Sequence, residues 1–311
     1  MQEKRNILLL ISFGVLVITI IVVFFMLNKE EAEVVDTSLF SVNDFTQIDK
    51  VILTKQEKPI ELKFDGIRWK VNNQLADRRM IDVLFATLQQ AKPKRPVAES
   101  LQDSINTILN REGILVSLFI SDDLQKEFLA GSNVKKTETY FKSKEEKQSY
   151  VIVIPGYRVH AGGIFELEES DWKDKYVFSF NWRNFQILNS TTPKNPKNDF
   201  EIAMGKTYYE VKGVTSVDTT KLNDFLDAVS LLTVDRYVKN EMVSEYDSLL
   251  GTQPILEMQV SDVSGKSYTL ALYEMGDKTL VLGSIQGTQL AFFDRRKLTG
   301  IVKNRNWFVK D

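Results

Sequence analysis

The single histidine of the chain, His160, stands in Ile154-Pro155-Gly156-Tyr157-Arg158-Val159-His160-Ala161-Gly162-Gly163-Ile164-Phe165, where three glycines, an arginine and an imidazole are concentrated. Glycine lets backbone amides come close to a ligand, and Arg158 and His160 add hydrogen-bond donors. The chemistry that this spacing allows is recognition of an anion or a partner through Gly156, Tyr157, Arg158, His160, Gly162 and Gly163. The same residues also read as a longer structural turn carrying an exposed histidine. Directly downstream, Glu166, Glu168, Glu169 and Asp171 gather carboxylates. The ordered Asp-x-Asp-x-Asp-Gly loop with its distal glutamate is missing, so the cluster reads as a solvated face and no metal is assigned.

Catalysis has few residues to draw on. With no cysteine and one histidine, the chain lacks the groups for disulfides, thiolate zinc sites, iron–sulfur clusters, cysteine nucleophiles or any site that needs two imidazoles. No Gly-x-Gly-x-x-Gly, P-loop lysine motif or Gly-x-Ser-x-Gly elbow occurs. A pair of distant carboxylates acting as a glycosidase needs no local motif and stays open as an enzymatic reading. The expectation is a protein without enzymatic activity, catalytic residues or cofactor. Lys92, Lys94 and Arg95, set among Pro93 and Pro96, form a basic patch read as a solvated loop. Since 40 basic side chains face 42 acidic ones for a net charge of −2, nucleic acid is not an expected partner.

The elements that must position these residues begin with an apolar run. Ile7 to Leu27 is interrupted only by Ser12, Gly14 and Thr19, and at about 1.5 Å per residue it spans roughly 31 Å, the thickness of a bilayer's hydrocarbon layer. Lys4 and Arg5 precede it, whereas Glu30, Glu31 and Glu33 follow. The sequence therefore predicts a cytoplasmic stub at 1–6, a transmembrane helix at 7–27 and a linker at 28–38, with everything beyond exported. The expected location is the bacterial inner membrane, single-pass, with the N-terminus cytoplasmic and the C-terminal domains periplasmic. A cleaved signal peptide is the alternative, but the run exceeds the usual h-region and no Ala-x-Ala-like site follows it.

The remainder repeats itself at an offset of about 140 residues. Gly66 to Val71 matches Lys206 to Val211, Leu84 to Leu88 matches Phe225 to Val229, Gly113 to Leu115 matches Pro254 to Leu256, and Tyr150 to Val153 matches Leu290 to Phe293. Alternation at Ile60, Leu62, Phe64 and at Ile67, Trp69, Val71 predicts a hairpin turning at Asp65-Gly66. A helix capped by Asp77 follows, closed by Pro93 and Pro96, and its counterpart is capped by Asp218 or Thr219. Further strands run over 114–121, 127–130, 137–142 and 149–154, with counterparts over 255–260, 267–273, 279–283 and 289–293. The predicted fold is α+β: an N-terminal transmembrane helix, then two tandem repeats at 39–176 and 177–311, each a mainly antiparallel sheet with a packed helix. Matching Phe178 to Phe308 lowers the offset to 130, which places about ten extra residues in the first copy, best accommodated by the glycine-rich segment.

Leu39-Phe40 with Ile48 and Val51, Trp69-Lys70-Val71, the helix ending before Lys94-Arg95, and Asp171-Trp172-Lys173-Asp174-Lys175 resemble the bacterial family called domain of unknown function 4340 over about residues 39–311. That resemblance implies an exported accessory part encoded with, or fused to, components of ABC-type transporters, including gliding-motility auxiliary subunits. It carries no catalytic residue. The expected function is a membrane-anchored, exported interaction or scaffold module. Its expected partners are other membrane or envelope proteins, ABC-type transporter subunits among them, with the membrane itself contacted through residues 7–27. The alternative is an exported small-ligand or glycan binder using a cleft between the repeats.

Overall fold

The structure, a computed structural model, describes residues 2–27, 35–42, 44–144, 146–156, 160–178, 180, 184–205 and 208–310. The amino-terminal segment forms α1 (Gln2–Leu27). Strands β1 (Lys50–Lys55), β2 (Lys58–Phe64), β3 (Trp69–Val71) and β4 (Gln74–Leu75) lead to α2 (Arg78–Gln90), β5 (Lys92–Pro96) and α3 (Glu99–Glu112). They are followed by β6 (Ile114–Ile120), β7 (Asp123–Ser132), β8 (Thr139–Ser143) and β9 (Ser149–Val153). After the one-turn α4 (Glu169–Trp172) come β10 (Phe185–Thr191), β11 (Phe200–Met204), β12 (Tyr209–Val211), α5 (Thr219–Ser230) and β13 (Arg236–Tyr237). The last elements are α6 (Asp247–Leu250), β14 (Leu256–Asp262), β15 (Ser267–Glu274), β16 (Leu280–Ile285), β17 (Gln289–Asp294) and α7 (Arg295–Leu298).

The strands form two antiparallel sheets. One has nine strands in the order β4-β3-β2-β1-β6-β7-β8-β9-β5, the other eight in the order β12-β11-β10-β14-β15-β16-β17-β13. Leaving β4 aside, the two orders are the same when read along the chain. Tight turns with consecutive left-handed residues, Asn72-Asn73 and Ser121-Asp122, join successive strands in the way that suits the right-handed twist of a hairpin.

The chain divides into two compact units, residues 1–59 with 84–166 and residues 60–83 with 167–311. In the first unit the rings of Phe40, Phe128, Phe141 and Phe165 pack edge-on or tilted, with centroids 4.6–6.4 Å apart. α3 lays Ile105 and Leu109 against Val97, Tyr140 and Val151. This helix was not anticipated from the sequence, because few of its residues are buried and its polar face is held instead by Gln102 and Asn106 donating to the Lys147 carbonyl. The basic patch is not a loop either. Lys92–Pro96 pairs with β9 as an edge strand, its register shifting between Pro93 and Arg95, since proline is tolerated where the outer side of a strand needs no ladder donor.

In the second unit Leu222, Phe225, Leu226 and Val229 of α5 pack on the inner faces of β10, β11 and β14–β17. Asp218 caps α5 by accepting the Thr220 and Lys221 amides. The segment Asp171–Phe178 stitches this unit. Asp77 N–H donates to the Trp172 carbonyl at 2.7 Å and Asp174 N–H to the Leu75 carbonyl at 2.8 Å. On its other side Val177 N–H reaches the Leu232 carbonyl at 3.0 Å and Val234 N–H the Lys175 carbonyl at 2.9 Å. The first half of this stitch recurs where Asp218 N–H meets the Phe308 carbonyl at 2.8 Å and Lys310 N–H the Ser216 carbonyl at 3.0 Å. By these bonds Trp172, not Phe178, corresponds to Phe308. The offset there is 136, so the first copy exceeds the second by about four residues rather than ten.

The predicted membrane crossing is corrected. Among the described residues no helix is long and apolar enough to cross a membrane. The fold is therefore two antiparallel sheets with helices, without the N-terminal transmembrane element at 7–27, and the single-pass inner-membrane location with a cytoplasmic N-terminus and periplasmic domains is withdrawn with it. Residues 28–34 of the expected linker lie outside the described residues.

Trp172 is fully buried, so Trp172→Ala is expected to cost about 3–5 kcal/mol through the cavity it leaves. Trp172→Phe, which copies the residue at the matching position, should cost less. Urea unfolding of the two variants measures both.

Candidate functional site

His160 is placed by the end of a hairpin. Ser132 and Thr139 are cross-strand partners at the last pair of β7 and β8, and their hydroxyls take the imidazole between them. Ser132 Oγ lies 3.0 Å from His160 Nε2, and Thr139 Oγ1 3.3 Å from Nδ1. His160 opens the 3-10 turn Ala161–Ile164, whose Gly162 N–H donates to Thr139 Oγ1 at 2.9 Å. A Cβ on Gly162 would fall 2.7 Å from Ser132 Oγ and 3.0 Å from the imidazole, so only glycine fits this approach.

The Glu166 carboxylate sets the direction of the bonds around a neutral His160 ring. Glu166 Oε1 accepts from Ser132 Oγ at 2.8 Å, and Lys136 pairs with Glu166 Oε2 at 2.6 Å. An ionised carboxylate carries no proton, so Ser132 must be the donor to Glu166, and its oxygen then accepts from His160 Nε2–H. In the neutral ring Nδ1 is left as the acceptor, and Thr139, already receiving the Gly162 amide, donates its hydroxyl proton there. The chain runs Gly162 to Thr139 to His160 to Ser132 to Glu166, with Lys136 closing it. Burial pushes the Glu166 carboxyl up, but the bonds from Lys136 and Ser132 and the Lys136 charge outweigh it and hold the group below its ordinary value.

Serine, histidine and glutamate thus meet without the polarity of a hydrolase triad. There the base accepts the serine proton and the acid bonds the opposite ring nitrogen. Here the ring nitrogen facing Ser132 is a donor, the acid bonds the serine, and a threonine occupies the far nitrogen. The equivalent end of the other sheet supports a tying role. Glu274 and Val281 form the last pair of β15 and β16, and Glu274 is bonded at 2.6 Å by Arg295, the first residue of α7. Both hairpins fasten the helical turn that follows the sheet, one with hydroxyls and an imidazole, the other with an ion pair.

Of the sequence-predicted residues, His160, Gly162 and Gly163 come together on this turn. Gly156 sits apart on an exposed turn with φ of 83°, and Tyr157 and Arg158 lie outside the described residues. The downstream carboxylates are spoken for: Glu168 by Lys239 at 2.7 Å, Glu169 by Lys173 at 2.9 Å and Asn72 at 2.8 Å, while Asp171 caps the start of α4 through the Glu168 amide. Ser132 and Thr139 were missed. Their signal was a pair of hydroxyls at facing strand ends around an Asn133 turn, legible only once the hairpin register is known.

Residues 69–248 match the family described as a domain of unknown function (DUF4340). The chain belongs to this family. Neither a curated protein nor a solved structure matches it. The DUF4340 region takes in Trp69-Lys70-Val71, the hydroxyl–imidazole tie and the stitch at 171–178.

Thr139→Val is expected to strand the Gly162 amide and remove the proton offered to Nδ1, at a cost of about 1–3 kcal/mol. Because His160 is the only histidine, one ¹⁵N NMR spectrum reads its tautomer directly, and the Nε2–H form should dominate at pH 8. Glu166, held below its ordinary value, contributes stability that is complete above the usual carboxylate range and lost as pH falls through its folded value. Glu166→Gln should therefore lower the Tm at pH 7 and flatten its decline on the acid side.

Proposed function

We propose that this DUF4340 protein is a non-enzymatic interaction module that binds other proteins, the subunits of an ABC-type transporter assembly being the partners to test. The observation that carries the reading is the bond Ser132 Oγ makes to Glu166 Oε1 while His160 sits between Ser132 and Thr139, an arrangement that differs from a hydrolase triad and uses the polar groups to fix a surface. That surface includes the β7–β8 turn. Val134 at its tip is 92% exposed, and the turn is held by Asn133 Oδ1 accepting the Thr137 amide at 2.8 Å, by Asn133 Nδ2 donating to Thr137 Oγ1 at 2.8 Å, and by the Lys136–Glu166 pair. A turn ordered before binding loses little entropy on contact, which suits recognition by shape.

A photo-cross-linking side chain placed at Val134 in the native host is the test. The expected outcome is a discrete adduct with a transporter subunit, present when Ser132 is replaced by alanine as well. A hydrolytic activity abolished by Ser132→Ala, together with no adduct from position 134, would overturn the reading.

A further inference from the structure

The β2–β3 hairpin tip is a second surface of different character. Phe64 and Trp69 form its last cross-strand pair, with ring centroids 5.8 Å apart. Beyond them Ile67 is 83% exposed. One exposed aliphatic side chain is ordinary on a protein surface, but the setting of Ile67 is not. Asp65 Oδ1 accepts the Ile67 amide at 2.9 Å and the Arg68 amide at 2.8 Å, Lys70 pairs with Asp65 Oδ2 at 2.9 Å, and Asp65 N–H returns to the Arg68 carbonyl at 3.0 Å. The only carboxylate of the tip is thus consumed in fixing the turn. Lys63 and Arg68 stay exposed as cations on either side of an apolar point, and the run Phe64, Ile67, Arg68, Trp69 is rich in the residue types that dominate binding energy at interfaces.

The corresponding tip of the eight-stranded sheet is built the other way. There Tyr208 donates its hydroxyl to Asn223 of α5, and the Glu210 side chain lies against Gly205, where it would meet any Cβ. Of two matching hairpins, one has its Tyr208 bonded to its own helix, whereas the other presents Ile67 between cations.

We propose that the β2–β3 tip is a docking finger for a protein partner whose apolar pocket is rimmed by carboxylates, with Ile67 entering the pocket and Lys63 and Arg68 meeting the rim. This rests on the reading of the chain as an interaction module but uses a surface separate from Val134. The test is fluorescence anisotropy of a labelled peptide of alternating Glu and Leu titrated with the full chain, beside Lys-Leu and Ser-Leu peptides of equal length. The Glu-Leu peptide should bind tightest, more weakly at high salt, and at least about tenfold more weakly to Ile67→Asp and to Arg68→Glu, with thermal unfolding unchanged in both variants and binding retained in Leu124→Asp, which alters an exposed aliphatic residue at the start of β7. Equal binding of the three peptides, or Ile67→Asp binding as the parent does, overturns the proposal. Cross-linking from position 134 in the Ile67→Asp variant separates failure of the finger from failure of the interaction reading itself.

Discussion

The second unit depends on one requirement: the main chain of Asp171–Phe178 is placed where its amides and carbonyls must find protein partners, and it finds them on both sides. Leu75, Ala76 and Asp77 supply one side, and Leu232, Thr233 and Val234 the other. That is why residues 60–83, distant in sequence, belong with residues 167–311. Asp77 serves twice, its amide bonding Trp172 and its carboxylate accepting the Arg79 amide at 2.9 Å to start α2. Burial and the neighbouring Asp77 charge push the Asp174 carboxyl above its ordinary value against the bonds from the Tyr176 and Lys175 amides. Tyr237 donates to the Asp174 carbonyl at 2.6 Å, and burial, with the Asp174 charge, pushes its own hydroxyl up to about 12. Charged groups sit in this seam because the backbone route leaves them there.

The two sheets share a strand order yet have diverged at the positions where each closes. Trp172 stands where the later copy has Phe308, and an imidazole between hydroxyls stands where the later copy has a glutamate and an arginine. Keeping the tie while changing its chemistry costs little, because a hydrogen-bond chain and a partly exposed ion pair can each anchor a turn. The glycine at 162 follows from the first solution and has no counterpart in the second.

Much of the local structure was legible before any coordinates. The alternation around Asp65-Gly66, the stripe Leu222, Phe225, Leu226 and Val229, and the cap at Asp218 all follow from periods of 2 and 3.6 and from capping chemistry. Long-range pairing was not, since β1 against β6 joins residues more than sixty apart that no local pattern links. The edge strand Lys92–Pro96 was hidden because proline argues against a strand unless the open side of the sheet is already known. At the candidate site the glycines and histidine stood out by type, whereas Ser132 and Thr139 gained meaning only from their register. Apolarity alone suggested a crossing helix at 7–27, whereas among the described residues no helix is long and apolar enough to cross a membrane.

The outermost strands have a consequence for assembly. β4, β12 and β13 are two or three residues long, and β5 carries Pro93 and Pro96 with Lys92 and Lys94. None offers a run of free amides on which another chain could continue the ladder. The two described sheets are in that sense finished at their margins, and these four strands give a templated fibre little to lengthen.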